Sequence, residues 1–358
     1  MKVLIAAGGT GGHIYPGIAI AKEILRRDEA SEVMFVGTAR GLETSIVPEN
    51  GFQLSLINSA GLKNVGFIGK IKGLAVLPRG FWEARNILRE FRPDVVVGAG
   101  GYVSGPLLLT AHYSGYPTLV MDSNALPGFT NRRLARFVDK AALTFDAALP
   151  YFGRKGVVTG NPVRGEFFEI AAHEPVEPIH VLIFGGSQGA RAINQAVIEM
   201  LPFLREHAAK FMVTHQTGEL NYDEVRAAYA GHSWENVDIR AYISNMVESF
   251  DAADIIISRA GATTCAEVAA AGRAAIMVPL PGAADDHQRK NAEALAAKGA
   301  VRIILQSDLS GERLANELID LAAEPEKITA MAEAARGLAR PDAAKATVDL
   351  IEELNRNK

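Results

Sequence analysis

Short apolar runs of four or five residues recur along the chain at 3–7, 33–37, 95–98, 118–121, 181–184, 255–258, 275–279 and 301–305. Stretches of helical length separate them. Runs that are apolar throughout, rather than alternating, mark strands buried on both faces, and such strands belong to parallel sheets covered by helices. The pattern therefore predicts a doubly wound α/β architecture. One segment needs separate treatment: residues 95–121 carry no Asp, Glu, Lys or Arg and are long enough to span a bilayer. Its middle, Gly98-Ala-Gly-Gly-Tyr-Val-Ser-Gly-Pro106, is full of helix breakers, so the reading is strand, glycine turn, short buried helix and strand.

An internal echo divides the chain. Gly8-Gly9-Thr10-Gly11-Gly12 follows the first run, and Gly185-Gly186-Ser187-Gln188-Gly189 follows the run at 181–184 with the same Gly-Gly-hydroxyl-x-Gly spacing. Each half is expected to build its own Rossmann-like sheet, over residues 1–164 and 165–340. The hinge is placed in residues 166–180, where His173-Glu-Pro-Val-Glu-Pro-Ile-His180 is polar and twice interrupted by proline. After Pro341, Val348, Ile351 and Leu354 share one face of a last helix, and the 341–358 helix is expected to pack back on the first domain.

Composition removes other classes. At 358 residues, with 48% hydrophobic and 22% charged residues, the chain has the profile of an ordinary globular protein of about two domains. Lys plus Arg is 37 against 41 Asp plus Glu, a formal charge of −4, so nucleic acid is not an expected partner. A single cysteine, Cys265, fits a reducing compartment. The run at 3–7 is too short for the apolar core of an export signal.

Glycine turns between a strand and a helix leave backbone N–H groups open beside a positive helix end, which suits a phosphate, so the two turns suggest two phosphate-bearing ligands. Neither is a Walker A loop, and neither shows G-x-G-x-x-G with an acidic ribose anchor; the alternative use of such glycines is tight strand–helix packing. His13 closes the first turn, Gly98-Ala-Gly-Gly-Tyr102 forms another, and Asp122 follows the next strand, together outlining an active-site wall. A lone His at a helix start otherwise serves as a cap. In the second half, Ser258-Arg-Ala-Gly-Ala-Thr-Thr-Cys-Ala-Glu267 opens a helix after the run at 255–258, and Glu267 is placed to take a ribose diol, or else is a surface helix Glu. Asp285 and Asp286 are read as partners of a helix dipole rather than as metal ligands. Between residues 63 and 89, Leu74, Leu77, Phe81 and Trp82 stand among six Lys and Arg residues with only Glu83 opposing them. That pattern describes a surface touching anionic lipid, or alternatively an amphipathic core helix with a basic outer face.

Seven segments taken in order resemble the MurG family of bacterial N-acetylglucosaminyltransferases. They are Gly8-Gly-Thr-Gly-Gly-His-Ile-Tyr-Pro16, Gly98-Ala-Gly-Gly-Tyr-Val-Ser-Gly-Pro106, Thr130-Asn-Arg-Arg-Leu-Ala135, Gly160-Asn-Pro-Val-Arg164, Gly185-Gly-Ser-Gln-Gly-Ala-Arg191, Ser258-Arg-Ala-Gly-Ala-Thr-Thr264 and His287-Gln288. The resemblance implies a GT-B fold: two Rossmann-like, doubly wound parallel-sheet domains facing a cleft. It implies an inverting transfer of GlcNAc from UDP-GlcNAc to the C4 hydroxyl of the muramoyl sugar of lipid I, giving lipid II, with no cofactor and no obligatory metal. The implied setting is peripheral, on the cytoplasmic face of the bacterial membrane, against anionic lipids.

The same resemblance assigns residues. Thr10, Gly11, Gly12 and Asn124 reach the donor, with Arg164 and Ser187 near its nucleotide and diphosphate. The Ile243 backbone reads uracil, beside the aromatic Tyr242. Ala262, Thr263, Thr264, Cys265, Ala266 and Glu267 carry the nucleotide, and Gln288 holds GlcNAc hydroxyls. Gly100, Gly101, Tyr102 and Asn131 belong to the acceptor side. His13 is the expected base and Asp122 the second candidate. One departure stands out: where the family commonly has His-Glu-Gln-Asn, this chain has Met121-Asp122-Ser123-Asn124. Rival readings are a UDP-sugar epimerase, a non-catalytic UDP-sugar binder, and a transferase acting on another lipid such as a diacylglycerol.

Overall fold

A computed structural model describes residues 1–39, 41–59, 67–186, 188–232 and 234–357, without the side chains of 67–77 and 284. The chain forms two units: Met1–Val163 with Arg340–Lys358, and Arg164–Ala339. Arg164 and Arg340 thus sit in the opposite units from those expected. The expected hinge at 166–180 is also corrected. Phe167 is fully buried, its ring edge-on to Phe250 at 5.1 Å, so this stretch is folded into the second unit and the chain changes unit at Val163–Arg164. Prolines and polar residues marked the segment as a linker, but one buried aromatic anchors it.

The first unit is built on seven strands: β1 Lys2–Ala7, β2 Glu32–Gly37, β3 Gln53–Leu56, β4 Val95–Gly100, β5 Thr118–Asp122, β6 Lys140–Leu143 and β7 Gly156–Val158. Their order is β3-β2-β1-β4-β5-β6-β7, every pairing parallel. Val3, Ile5 and Ala7 face one layer with Ile14 and Ile18, while Leu4 and Ala6 face another with Leu88 and Leu107. Both faces of β1 are therefore dry, and each such aliphatic side chain contributes about 1.5–3 kcal/mol by leaving water. The 95–121 stretch is β4, the helix Ser104–Tyr113 and β5. Among the described residues no helix is long and apolar enough to cross a membrane.

The helix Ala343–Arg356 completes this unit, burying Val348, Leu350, Ile351 and Leu354 in the layer that holds Ile14 and Ile18. Arg27 bonds Asp349 at 2.7 Å and Glu352 at 3.1 Å along its rim, and Lys140 pairs with Glu353 at 2.9 Å.

The second unit has six parallel strands: β8 Ile179–Phe184, β9 Phe211–Gln216, β10 Val237–Arg240, β11 Ile255–Ser258, β12 Ala274–Met277 and β13 Val301–Ile303, in the order β10-β9-β8-β11-β12-β13. In each sheet the strand order reverses once, between β1 and β4 and between β8 and β11, and ligands in open α/β sheets bind beyond the strand ends at that reversal. The turns that follow β1, β4, β8 and β11 are those singled out in the sequence.

Candidate active site

In the first unit the turn after β1 and the turn after β4 touch. At Gly100 (φ +127°) a Cβ would collide with the His13 ring, and at Gly101 (φ +81°) with the Gly8 carbonyl. Glycine is required at both positions by close approach as well as by backbone conformation. His13 Nδ1 lies 3.2 Å from the Gly8 carbonyl oxygen. A carbonyl only accepts, so Nδ1 donates in this contact and fixes the ring at the sheet reversal.

Asp122 sits beside it at the end of β5 and is buried. It accepts from Asn124 N–H (3.0 Å), Gly128 N–H (3.0 Å) and Asn131 Nδ2 (2.9 Å). Burial pushes its carboxyl above the ordinary range, against those bonds and the nearby His13. With both oxygens occupied by its own loop, Asp122 holds the Asn124 backbone and the Asn131 side-chain amide.

Sequence reasoning missed Glu43. Its carboxylate is 0% exposed and accepts from Gly9 N–H (2.9 Å), Thr38 N–H (2.8 Å) and Thr38 Oγ1 (2.8 Å). Burial raises its pKa, but these bonds outweigh that and hold it below the ordinary carboxylate value. The Gly9 amide is thus turned onto a buried anion, which corrects the picture of two equivalent phosphate cradles. No local motif announces Glu43; the only signal is an acid in the first turn of the short helix Glu43–Glu49.

In the second unit the Gly185–Gly189 turn lies against Thr217 and Gly218: a Cβ on Gly189 (φ +72°) would strike the Thr217 carbonyl. Its support comes from the end of β9, where Thr214, His215, Gln216 and Thr217 are polar yet buried. His215 Nε2 meets Asn194 Oδ1 at 3.1 Å, and Asn194 Nδ2 donates to the Thr217 carbonyl at 2.8 Å. Burial pulls the His215 pKa down to about 3, so it is a neutral scaffold at working pH.

The helix Ala262–Ala271 follows β11 and places Glu267 one turn in. Burial raises the Glu267 carboxyl to about 7, against the pull of Arg164, and among the described residues no donor bonds it. A ribose diol would supply the missing donors. Arg164 itself stacks its guanidinium 5.0 Å from the Phe167 ring. Thr263 Oγ1 is buried without a partner among the described residues. Cys265 is buried, its thiol pushed up to about 12 and directed at Met277 Sδ at 3.8 Å, so only its backbone can meet a ligand. Ile243 is 2% exposed, Tyr242 beside it is exposed, and Gln288 Oε1 accepts from Leu280 N–H at 3.0 Å. Among the described residues no group of three or more His, Cys, Asp or Glu is placed to hold a metal ion. Asp285 and Asp286 have φ of +57° and +56° at the start of the helix His287–Ala296.

Trp82 is 65% and Tyr113 75% exposed, flanking with Arg85 and Arg89 a surface depression of ≈ 620 Å³ between the helices Phe67–Phe91 and Ser104–Tyr113. Phe81 lines it. Ser187 and the side chains of Leu74 and Leu77 lie outside the described residues.

Residues 3–143 match the glycosyltransferase family 28 N-terminal domain, and residues 180–347 match its C-terminal domain. The chain belongs to the MurG family within glycosyltransferase family 28. It is 46% identical over 355 residues to the UDP-N-acetylglucosamine--N-acetylmuramyl-(pentapeptide) pyrophosphoryl-undecaprenol N-acetylglucosamine transferase of Geobacter sulfurreducens, covering 98% of this chain and 97% of the relative. The enzyme of the same description from an Anaeromyxobacter strain is 45% identical over 361 residues, covering 100% and 94%. Among solved structures, MurG of Acinetobacter baumannii superposes with a TM-score of 0.81 at 34% identity, covering 98% of this chain and 99% of that one. The two parallel-sheet units are those of a GT-B glycosyltransferase. Within this MurG-family chain, His13, Gly100, Gly101, Asp122, Asn124 and Asn131 gather in the first unit, while Arg164, Gln216, Ile243 and Glu267 belong to the second.

Proposed function

We propose that this chain moves N-acetylglucosamine from UDP-GlcNAc to the C4 hydroxyl of the muramoyl sugar of lipid I, forming lipid II with inversion, at the cytoplasmic face of the membrane. The observation that carries the reading is His13, its ring fixed through Nδ1 on the Gly8 carbonyl at the β1–β4 reversal, in a chain that matches MurG enzymes over 98% of its length. Inversion demands a base on one side of the donor sugar and anion stabilisation on the other. His13 Nε2 takes the acceptor proton, while Asn124 and Asn131, oriented by Asp122, position substrate hydroxyls. The amides of the Gly185–Gly189 turn, the helix Arg191–Met200 beyond it and Arg164 receive the charge of the departing UDP. The scheme gives that task to protein groups and calls on no metal. Thr10, Gly11 and Gly12 complete the donor contacts, with Glu267 on the ribose, Gln288 on GlcNAc and Tyr242 on uracil.

The acceptor's polyprenyl chain stays in the bilayer. Trp82, Phe81, Tyr113, Arg85 and Arg89 form the surface that meets it, rings entering the headgroup layer and guanidinium groups pairing with anionic lipid.

The test mixes the protein with labelled UDP-GlcNAc and a lipid I analogue and follows label into the lipid. Replacing His13→Ala is expected to lower kcat by about 10²–10⁴ while leaving UDP binding intact. Unchanged turnover removes His13 from the chemistry. Epimerised sugar nucleotide formed without acceptor overturns the transferase reading.

A further inference from the structure

Gln216 ends β9, is 1% exposed, and spends each end of its amide on a different loop. Its Nε2 donates to the Gly186 carbonyl at 2.8 Å, and its Oε1 accepts from Ile243 N–H at 2.7 Å. A carbonyl cannot donate and an N–H cannot accept, so the amide has one permitted orientation. One partner belongs to the glycine turn after β8 and the other to the turn that follows β10. The Gly186 carbonyl also accepts from Gly189 N–H at 2.9 Å.

We infer that Gln216 is a positioning residue for the nucleotide, tying the turn that grips the diphosphate to the turn that reads the base, so that both are presented at one fixed spacing. This rests on the reading of the second unit as the UDP-GlcNAc half. An aliphatic side chain would fill the same volume without desolvating an amide, so packing alone does not account for glutamine here. The bridge meets the nucleotide only through the two turns it joins, so its loss is read first in UDP affinity.

The experiment compares the full-length wild type, Gln216→Met and Gln216→Glu for UDP affinity by titration calorimetry, from about pH 8.5 to about pH 5.5, with thermal unfolding followed alongside. Gln216→Met keeps the volume and loses both bonds; a weakening of about tenfold at every pH is expected from two hydrogen bonds. Gln216→Glu carries the sharper signature. Protonated, its carboxyl has an O–H for the Gly186 carbonyl and a C=O for Ile243 N–H, which rebuilds the bridge. Ionised, it sets an anionic oxygen against the Gly186 carbonyl. Its affinity relative to wild type is therefore expected to recover as pH falls, with no such recovery for Gln216→Met. Should Gln216→Met fail to fold, the pH profile of Gln216→Glu decides alone. Wild-type affinity in both variants at every pH overturns the inference, as does a Gln216→Glu deficit that ignores pH, since a spacer would behave so. Absence of UDP binding by the wild type overturns the reading of the unit and the inference with it.

Discussion

The turns after β1 and β8 share the spacing Gly-Gly-hydroxyl-x-Gly and the same place in their sheets, yet they are backed by opposite chemistry. Behind the first lies the ionised carboxylate of Glu43, which accepts a hydrogen bond from Gly9 N–H; behind the second lies the neutral amide of Gln216, which donates one to the Gly186 carbonyl. A fixed anion repels a phosphate placed beside it, whereas a neutral backing sets no charge against one. The same backbone motif thus serves two ends: in the first unit it closes around His13, and in the second it is suited to a leaving diphosphate.

Removing the carboxylate is the strongest way to break this contrast. Glu43→Ala leaves Gly9 N–H, Thr38 N–H and Thr38 Oγ1 without their acceptor in a buried space and is expected to cost about 3–5 kcal/mol in denaturant unfolding. Because the folded carboxyl is held below its ordinary pKa, its stabilisation is present above the unfolded pKa and is lost as pH falls through the folded value. The difference in stability between wild type and Glu43→Gln should therefore shrink in acid. Equal losses for Glu43→Ala and Gln216→Met would erase the distinction between the two turns.

The glycines give the next test. Gly9 (φ +90°) faces open space, so Gly9→Ala is charged only the left-handed backbone penalty of about 1–2 kcal/mol. Gly189→Ala adds a collision with the Thr217 carbonyl and is expected to cost about 3 kcal/mol or more, with UDP affinity falling alongside stability. Similar thermal shifts for the two variants would mean that the second turn yields as readily as the first.

What the sequence conveyed, and what it hid, follows the same line. Strands β1, β2, β4, β5, β8, β11 and β12 were legible because each carries an apolar run of four or five residues, and β13 because Arg302 alone interrupts Val301–Leu305; the glycine turns stood out by their repeated spacing. β3 and β10 were not, being edge strands that mix polar residues with apolar ones, and β6 and β7 are short and lean on alanine and glycine. β9 was hidden because its last residues are polar though buried, Thr214 meeting His180, His215 meeting Asn194 and Gln216 bonding the Gly186 carbonyl, which makes a buried central strand look like a loop. Glu43 was invisible for a related reason, since its partners are backbone groups of residues at 9 and 38 that only the fold assembles. His13, Asp122 and Glu267 stood out because each follows a strand that could be recognised.

Glu43 and Glu267 extend the comparison to a smaller effect. Both are carboxylates near a strand-to-helix turn, but Glu43 has three donors and a lowered pKa, while Glu267 has none among the described residues and is raised to about 7 by burial. A raised carboxyl favours the folded state most below its unfolded pKa, and that advantage is lost as pH climbs through about 7. Glu267→Gln is accordingly expected to unfold at a higher temperature than wild type above neutrality and at a similar one in mild acid. Ribose hydroxyls donate best to the ionised form, so nucleotide binding should pull the pKa down and wild-type UDP affinity should rise as pH passes upward through neutrality. A drop of one pKa unit on binding corresponds to a gain of up to about tenfold, and Glu267→Gln should flatten that component of the profile. An unchanged slope in the variant would show that the carboxylate does not meet the ribose, leaving its missing donors unexplained and the parallel with Glu43 incomplete.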